Sequence, residues 1–207
     1  MLKTDVYYCS IEELQSFLKK WLIGARLFII LGIGNELRSD DAAGLLVARA
    51  LKPFNSEKFE AIECGASIDS CIDYAFEKNP SHLLIVDAFP NGERLAILDP
   101  TDLDSYVPAS THDIPIPLLL EAFGKPLETD IKILGIGVEK FDLGEKVSGE
   151  CLKAVNGVVK AILEAVINSG VLKDVAIEQD YLLPYEPYSE SVDRAGDAGV
   201  VGPYKHA

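Results

Sequence analysis

The sequence predicts an α/β fold, namely a three-layer αβα sandwich around a twisted, mostly parallel sheet of about five strands. Apolar runs typical of strands alternate with segments of helical periodicity, which is the pattern of βαβ units. The runs LFIILGIG (27–34) and HLLIVDAF (82–89) are apolar almost throughout, as strands covered on both faces are. A chain of 207 residues with 48% hydrophobic residues suits one such domain.

The first element is a helix over 10–23, because Ser10 and Glu13 form a capping box and Gly24 ends the apolar periodicity. The next helix begins at Asp41 and stops before Pro53. The strand at 94–99 is expected at an edge or in a hairpin, because only a short turn precedes it. We predict further strands over 59–65 and 130–138 and further helices over 67–78, 112–124 and 148–168.

Residues 1–171 are expected to form this single domain, and 172–207 a flexible acidic tail. The tail contains four of the eight tyrosines, three basic and seven acidic residues, and no sustained apolar period. Its segment YLLPYEPY is apolar enough to dock on a surface or on a neighbouring molecule.

The formal net charge of −14 argues against nucleic acid and anionic membranes as partners, because both require basic patches. No apolar run approaches the roughly 20 residues of a membrane span, and Met1–Ser10 does not resemble a signal peptide. The four cysteines have no zinc-ribbon spacing. We therefore expect them to be reduced, mostly buried thiols in a cytoplasmic protein.

Ligands of open parallel sheets bind beyond the carboxyl ends of the strands, so polar residues that follow strands are the candidates for a site. Asp40 and Asp41 follow the first strand, Asp87 ends the third, and His112 comes after the strand at 94–99. Each also has a structural interpretation. One of the two adjacent aspartates, preferably Asp40, is expected to cap the following helix. Asp87 could form a turn, and His112 could simply lie at a helix start.

Together, two carboxylates and one imidazole predict a shared site, because the first and third strands are neighbours in common doubly wound sheets. Such a ligand set suits Zn²⁺, Ni²⁺ or Mn²⁺, and the same residues could form an acid–base set. A dinucleotide fingerprint is disfavoured, because Leu37 stands where its third glycine belongs. A serine or cysteine hydrolase is disfavoured too, because only His112 of the three histidines is placed as a base.

Three segments in this order, GIGNELRSDDAAG, LLIVDAF and STHDIPIPLLL, closely resemble the hydrogenase maturation endopeptidases, which process the large subunit of nickel–iron hydrogenases. The segment ILGIGVEKFDLGEKVSGEC also looks like the last strand and loop of that family, so the resemblance covers about 27–166. It implies the αβα sandwich and removal of a short C-terminal extension from the nickel-loaded precursor of the large subunit.

The resemblance also implies site residues. Asp41, Asp87 and His112 match the metal-binding positions and are the expected catalytic and metal-contacting residues. Asn35 and the loop Cys64-Gly65-Ala66 are expected to bind substrate, although the family usually has an Asp-Gly-Gly or Thr-Thr-like loop there. No tightly bound cofactor is expected, because nickel arrives with the substrate, and zinc or cadmium could occupy the site in vitro.

Two other functions stay open at this point. One is a metal-dependent peptidase or amidohydrolase that acts on another substrate with its own bound metal. The other is a nickel-binding chaperone without catalytic activity.

Overall fold

The computed structural model describes residues 7–65, 68–90, 92, 94–100, 128–144 and 146–172. The strands are β1 (Tyr7–Cys9), β2 (Phe28–Ile33), β3 (Phe59–Gly65), β4 (His82–Pro90), β5 (Leu95–Leu98) and β6 (Asp130–Val138). The helices are α1 (Ile11–Trp21), α2 (Ala43–Leu51), α3 (Ile68–Glu77) and α4 (Gly149–Asn168), and 3₁₀ turns lie at Ser39–Ala42 and Lys52–Phe54. The predicted helix at 112–124 and the predicted tail lie outside the described residues.

The sheet has six strands in the order β1-β5-β6-β4-β2-β3, so the expected number of about five was one too low. Strands β3, β2, β4 and β6 are parallel, whereas β5 and β1 are antiparallel to their neighbours. The missed strand is β1, whose three residues are too few to show a period. Strand β5 pairs with β1 and β6, so it lies neither at the edge of the sheet nor in a hairpin with β4, and the prediction of an edge or hairpin strand was wrong.

Helices cover both faces of this sheet, which confirms the three layers. Alternate residues of β2 point to opposite sides: Phe28 and Ile30 pack in the core that contains α1, α2 and α4, whereas Ile29 and Leu31 pack in the core beneath α3. All four are fully buried. The near-continuous apolar strands are therefore explained by burial on both faces.

The N-terminal helix is tied to the amino edge of the sheet. Ser10 caps it, with the reciprocal Glu13 contact of a capping box, as predicted. At its other end the Trp21 indole donates to Asp130 Oδ2 over 2.8 Å and stacks edge-on against His82. Its buried face contributes Leu14 and Leu18 to the core shared with α4. The helix is thus part of the domain, and its last residues lie at the amino edge of the sheet.

Helix α2 packs on the sheet through an unusually close approach of main chains. A Cβ on Gly32 of β2 would lie 2.5 Å from the Ala48 Cβ and would clash with the Gly44 carbonyl. A Cβ on Gly44 would in turn clash with the carbonyl oxygens of Ile33 and Val86. Glycine is required at both positions for close packing, since neither has a positive φ. This contact brings the start of α2 against the carboxyl ends of β2 and β4.

The outer edge of β3 is protected by one side chain. The Asn55 amide accepts from the Ala61 N–H over 2.8 Å and donates to the Ala61 carbonyl over 3.2 Å, which imitates a neighbouring strand. We expect Asn55→Ala to lower the free energy of unfolding by about 1–2 kcal/mol, since both main-chain groups lose their partner. Urea unfolding would measure this loss, and a midpoint equal to that of the wild type would contradict it.

Candidate functional site

The candidate site lies where the order of the strands reverses. Strand β2 has β3 on one side and β4 on the other, so the connections that leave β2 and β3 run over opposite faces of the sheet. In open parallel sheets this arrangement leaves a crevice at the carboxyl edge, where ligands bind. The loop after β2 and the last residues of β4 border the crevice.

The loop after β2 turns sharply at Gly34. This residue has a φ of +145°, and a Cβ there would clash with the Asp41 carbonyl, so only glycine fits. Asn35 accepts through its side chain from the Leu37 N–H over 3.0 Å, and its own N–H donates to the Asp41 carbonyl over 3.3 Å. Asn35 therefore shapes the loop, which is a structural role that the sequence did not reveal.

Asp41 lies in the 3₁₀ turn between this loop and α2, and its side chain is 1% exposed. The turn contacts β4, because the close packing of Gly44 on Val86 holds the start of α2 against that strand. Asp87 follows Val86, the last residue of β4 that pairs with β2, and is 5% exposed. The structure thus places two buried carboxylates in two elements that contact each other at the carboxyl edge of the sheet.

Asp87 is held within its strand. Its Oδ1 accepts from the Ala88 N–H over 2.8 Å, and β4 continues beyond it to Pro90 through pairing with β6. The sequence had suggested that the strand ends at Asp87, but β4 continues beyond this residue. Its partner in the sheet is Gly135, and the Phe89 ring lies against that glycine, with a distance of 2.8 Å from Phe89 Cδ1 to a Cβ built there. The carboxylate has an apolar wall on this side.

Asp40 does not cap α2, so that prediction was wrong. Neither the 3₁₀ turn nor α2 has a side-chain cap. Instead Asp40 accepts from the Ser148 N–H over 2.6 Å and from the Ser148 hydroxyl over 2.8 Å. Ser148 is the N-cap of α4, so the carboxylate lies at the positive end of that helix. The adjacent aspartates do differ in their surroundings, because Asp40 is bound to a helix 108 residues further along the chain.

Further hydrogen bonds fasten the loop after β2 to the loop after β6. Arg38 donates through Nε and Nη2 to the Phe141 carbonyl, over 3.2 and 3.0 Å. Ser39 donates through its N–H to Gly144 and through its hydroxyl to Asp142, and the Asp40 N–H donates to Lys140. Ser39 has a left-handed φ of +51°, a conformation that these bonds hold in place. We call these two loops, residues 35–42 and 139–144, the paired loops.

The third predicted site residue, His112, lies outside the described residues, as does Ala66 of the predicted substrate loop. Within the described ranges no group of three His, Cys, Asp or Glu side chains is placed to hold a metal ion. The metal-contacting set therefore stays a prediction.

His82 begins β4 at the opposite edge of the sheet, as expected. Its burial against Trp21 lowers the pKa of its imidazole.

The expectation of four reduced cysteines was wrong for two of them. Cys64 at the end of β3 forms a disulfide with Cys71 of α3, with the Cα atoms 5.9 Å apart. The spacing of seven residues alone could not reveal this pair. Cys9 and Cys151 are free thiols, and burial raises the pKa of the Cys151 thiol to about 12.

The end of β3 adjoins the loop after β2, because the Gly65 carbonyl accepts from the Gly34 N–H over 3.2 Å.

A family model described as HycI, hydrogenase maturation protease, matches residues 45–169, which is more than half of the chain. The chain belongs to the hydrogenase maturation protease family. The protein is accordingly a hydrolase that cleaves peptide bonds, and the resemblance seen in the sequence motifs is confirmed. Asp87 and His112 lie within the matched range, and Asp41 lies just before it.

Several proteins that carry the family name match this chain over most of their own length. A Methanocaldococcus jannaschii protein with the provisional name of a hydrogenase maturation protease is 29% identical over 69% of this chain and 92% of its own. The hydrogenase 3 maturation protease of Escherichia coli K12 is 29% identical over 54% of this chain and 71% of its own. The crystal structure of the NiFe hydrogenase maturation protease HycI from Thermococcus kodakarensis has a TM-score of 0.64, with 26% identity over 72% of this chain and 98% of that one.

These likenesses confirm the αβα fold of a hydrogenase maturation protease for the present chain. Among the described residues, no helix is both long and apolar enough to cross a bilayer.

Proposed function

We propose that this protein is the endopeptidase that removes the C-terminal extension from the large-subunit precursor of a nickel–iron hydrogenase after nickel has been inserted. The observation that carries the proposal is the pair of buried carboxylates, Asp41 and Asp87, on one crevice of a fold whose family consists of such proteases. The names of the relatives support a hydrogenase precursor as the substrate class.

Nickel serves in this proposal as part of the substrate. The nickel that the precursor brings is contacted by Asp41, Asp87 and His112. These side chains provide two oxygen ligands and one nitrogen ligand, a set that suits nickel. The protease then needs no tightly bound cofactor of its own, although zinc or cadmium could occupy the site in vitro. Contact with nickel would stabilise the complex only for a nickel-loaded precursor, so it restricts cleavage to precursor that has received its nickel.

Hydrolysis follows from the same carboxylates. A water molecule in the crevice loses a proton to Asp41 or Asp87 and attacks the scissile carbonyl carbon. The C–N bond then breaks, and the released amine takes up a proton as it leaves. This assigns the protein to the aspartyl-type endopeptidases. Burial of both side chains excludes bulk water from the reacting groups and strengthens their electrostatic effect on the bound substrate.

Substrate recognition is assigned in this proposal to the loop after β2 and the loop after β3. The hydrogen bond from the Gly34 N–H to the Gly65 carbonyl supports this role for Asn35 and Gly65, because it joins the two segments beside Asp41. Cys64 lies within β3, just before Gly65, and Ala66 follows in the sequence. The cytoplasmic location is part of the same proposal and is supported by the free thiols of Cys9 and Cys151. The Cys64–Cys71 disulfide is a feature that cytosolic proteins seldom have outside hyperthermophiles.

The test is incubation of the purified protein with a nickel-loaded large-subunit precursor, followed by mass spectrometry of the intact subunit. We expect loss of the C-terminal extension with the nickel-loaded precursor and no change with the metal-free precursor. A stable complex without shortening would favour the chaperone function. Stoichiometric zinc in the purified protease, together with cleavage of metal-free substrates, would favour a metallopeptidase with its own metal.

A further inference from the structure

Two exposed leucines lie on the paired loops, each directly before a residue of the β-bridge between Arg38 and Gly144. Leu37 is 60% exposed and Leu143 is 86% exposed. Only one further exposed aliphatic side chain of this size, Ile23, occurs among the described residues, and it follows α1 at the amino edge of the sheet. Single exposed leucines are ordinary, whereas exposed apolar side chains grouped near a site are typical of interaction surfaces.

The main chain sets the two leucines in register. Arg38 and Gly144 form an isolated parallel β-bridge, and the Gly144 N–H donates to the Leu37 carbonyl over 2.9 Å. The Ser39 N–H also donates to the Gly144 carbonyl, over 2.8 Å, so the main chains of the two loops lie directly next to each other at Leu37 and Leu143. We call these two exposed leucines the apolar patch.

The patch is held rigidly although it is exposed. The bonds from Arg38 to Phe141 and from Ser39 to Asp142 and Gly144 fasten both loops directly beside the leucines. Glu36, next to Leu37, is additionally paired with Arg49 of α2 at 2.5 Å. A patch that is fixed before binding loses little conformational entropy when a partner covers it.

The location of the patch indicates its partner. Asp41 is only four residues from Leu37 in the same loop, and hydrogen bonds join that loop to the one that carries Leu143. A protein whose peptide bond reaches Asp41 must pass over these loops. We propose that Leu37 and Leu143 form a docking patch for an apolar surface of the hydrogenase large-subunit precursor. This inference rests on the proposed function and adds to it a contact outside the reacting groups.

The first experiment measures KM and kcat for processing of the nickel-loaded precursor by the variant Leu37→Ser/Leu143→Ser. We expect KM to rise about tenfold or more while kcat stays within about twofold, because the patch contributes binding and touches no reacting atom. Ile23→Ser is the matched control, since it removes an equally exposed aliphatic side chain at the far edge, and its KM should equal that of the wild type. An unchanged KM in the double variant, or an equal rise in Ile23→Ser, would overturn the docking patch.

The second experiment identifies the occupant by replacing Leu143 with the photocrosslinker p-benzoylphenylalanine and irradiating the full chain with the precursor. A crosslink to the precursor supports the proposal. Crosslinks confined to a second copy of this chain, or to its own residues 173–207, overturn it in favour of self-association or of tail docking. Wild-type protein that does not shorten the precursor contradicts the proposed function itself. Normal shortening with an unchanged KM in the leucine variant contradicts the docking patch alone.

Discussion

Replacement of Asp41 by Asn is expected to lower the rate of precursor cleavage by about 10³-fold or more and to leave the protein folded. The amide keeps the size of the carboxylate but can neither take a proton from water nor contact nickel as an anion. The rate is measured by mass spectrometry of intact large subunit under single-turnover conditions, and the fold by thermal unfolding, with Tm within about 5 °C of the wild type.

The neighbouring aspartate supplies the matched control. Asp40→Asn makes the same chemical change one residue earlier, in a side chain that is 2% exposed but bonded to Ser148. We expect it to keep most of the cleavage rate and to lose stability instead. Asp87→Asn should match Asp41→Asn, and the double variant should be little slower than either, since the two carboxylates act as a unit. Full activity of Asp41→Asn would remove this residue from the mechanism, whatever the others show.

Local patterns in the sequence were sufficient for most of the fold. The capping box at Ser10, the apolar strands and the helix that contains Gly44 each follow from residues close together in the chain, and all were found. The two errors in the sheet have a common cause. β1 is too short for a period, and the antiparallel pairing of β5 with it depends on contacts between segments about 90 residues apart, which no local pattern reports.

The site was predictable to the extent that it follows from topology. Asp41 and Asp87 could be placed on one edge because parallel strands end there, and the β2–β4 pairing confirms the premise. The role of Asp40 could not be predicted, because its partner Ser148 belongs to the last helix and only tertiary packing brings them together. The same reason applies to Arg38, whose acceptor is the Phe141 carbonyl. Hydrogen bonds between segments so far apart in the chain cannot be predicted from local patterns, even when both segments are assigned correctly.

Asp40→Ala should produce the largest loss of stability among the substitutions considered. It removes two hydrogen bonds to a buried carboxylate and leaves the Ser148 N–H at the start of α4 without its acceptor. Hydrogen bonds to charged groups contribute about 1.5–3 kcal/mol each, so we expect a loss of about 3 kcal/mol in the free energy of unfolding. For a chain of this size that corresponds to a fall in Tm of about 10 °C, measurable by calorimetry.

Asp142→Ala is the matched control for this loss, because it truncates an exposed aspartate in the same paired loops and should change stability by less than about 0.5 kcal/mol. A double-mutant cycle with Ser148→Ala separates the contact from other effects of truncation. If Asp40 acts through Ser148, the double variant will lose about 1–2 kcal/mol less stability than the sum of the two single losses. Additive losses would mean that Asp40 stabilises the protein by another route. A coupled loss of stability, with cleavage retained by Asp40→Asn and abolished by Asp41→Asn, would establish that one aspartate fastens the loop to α4 and the next performs the chemistry.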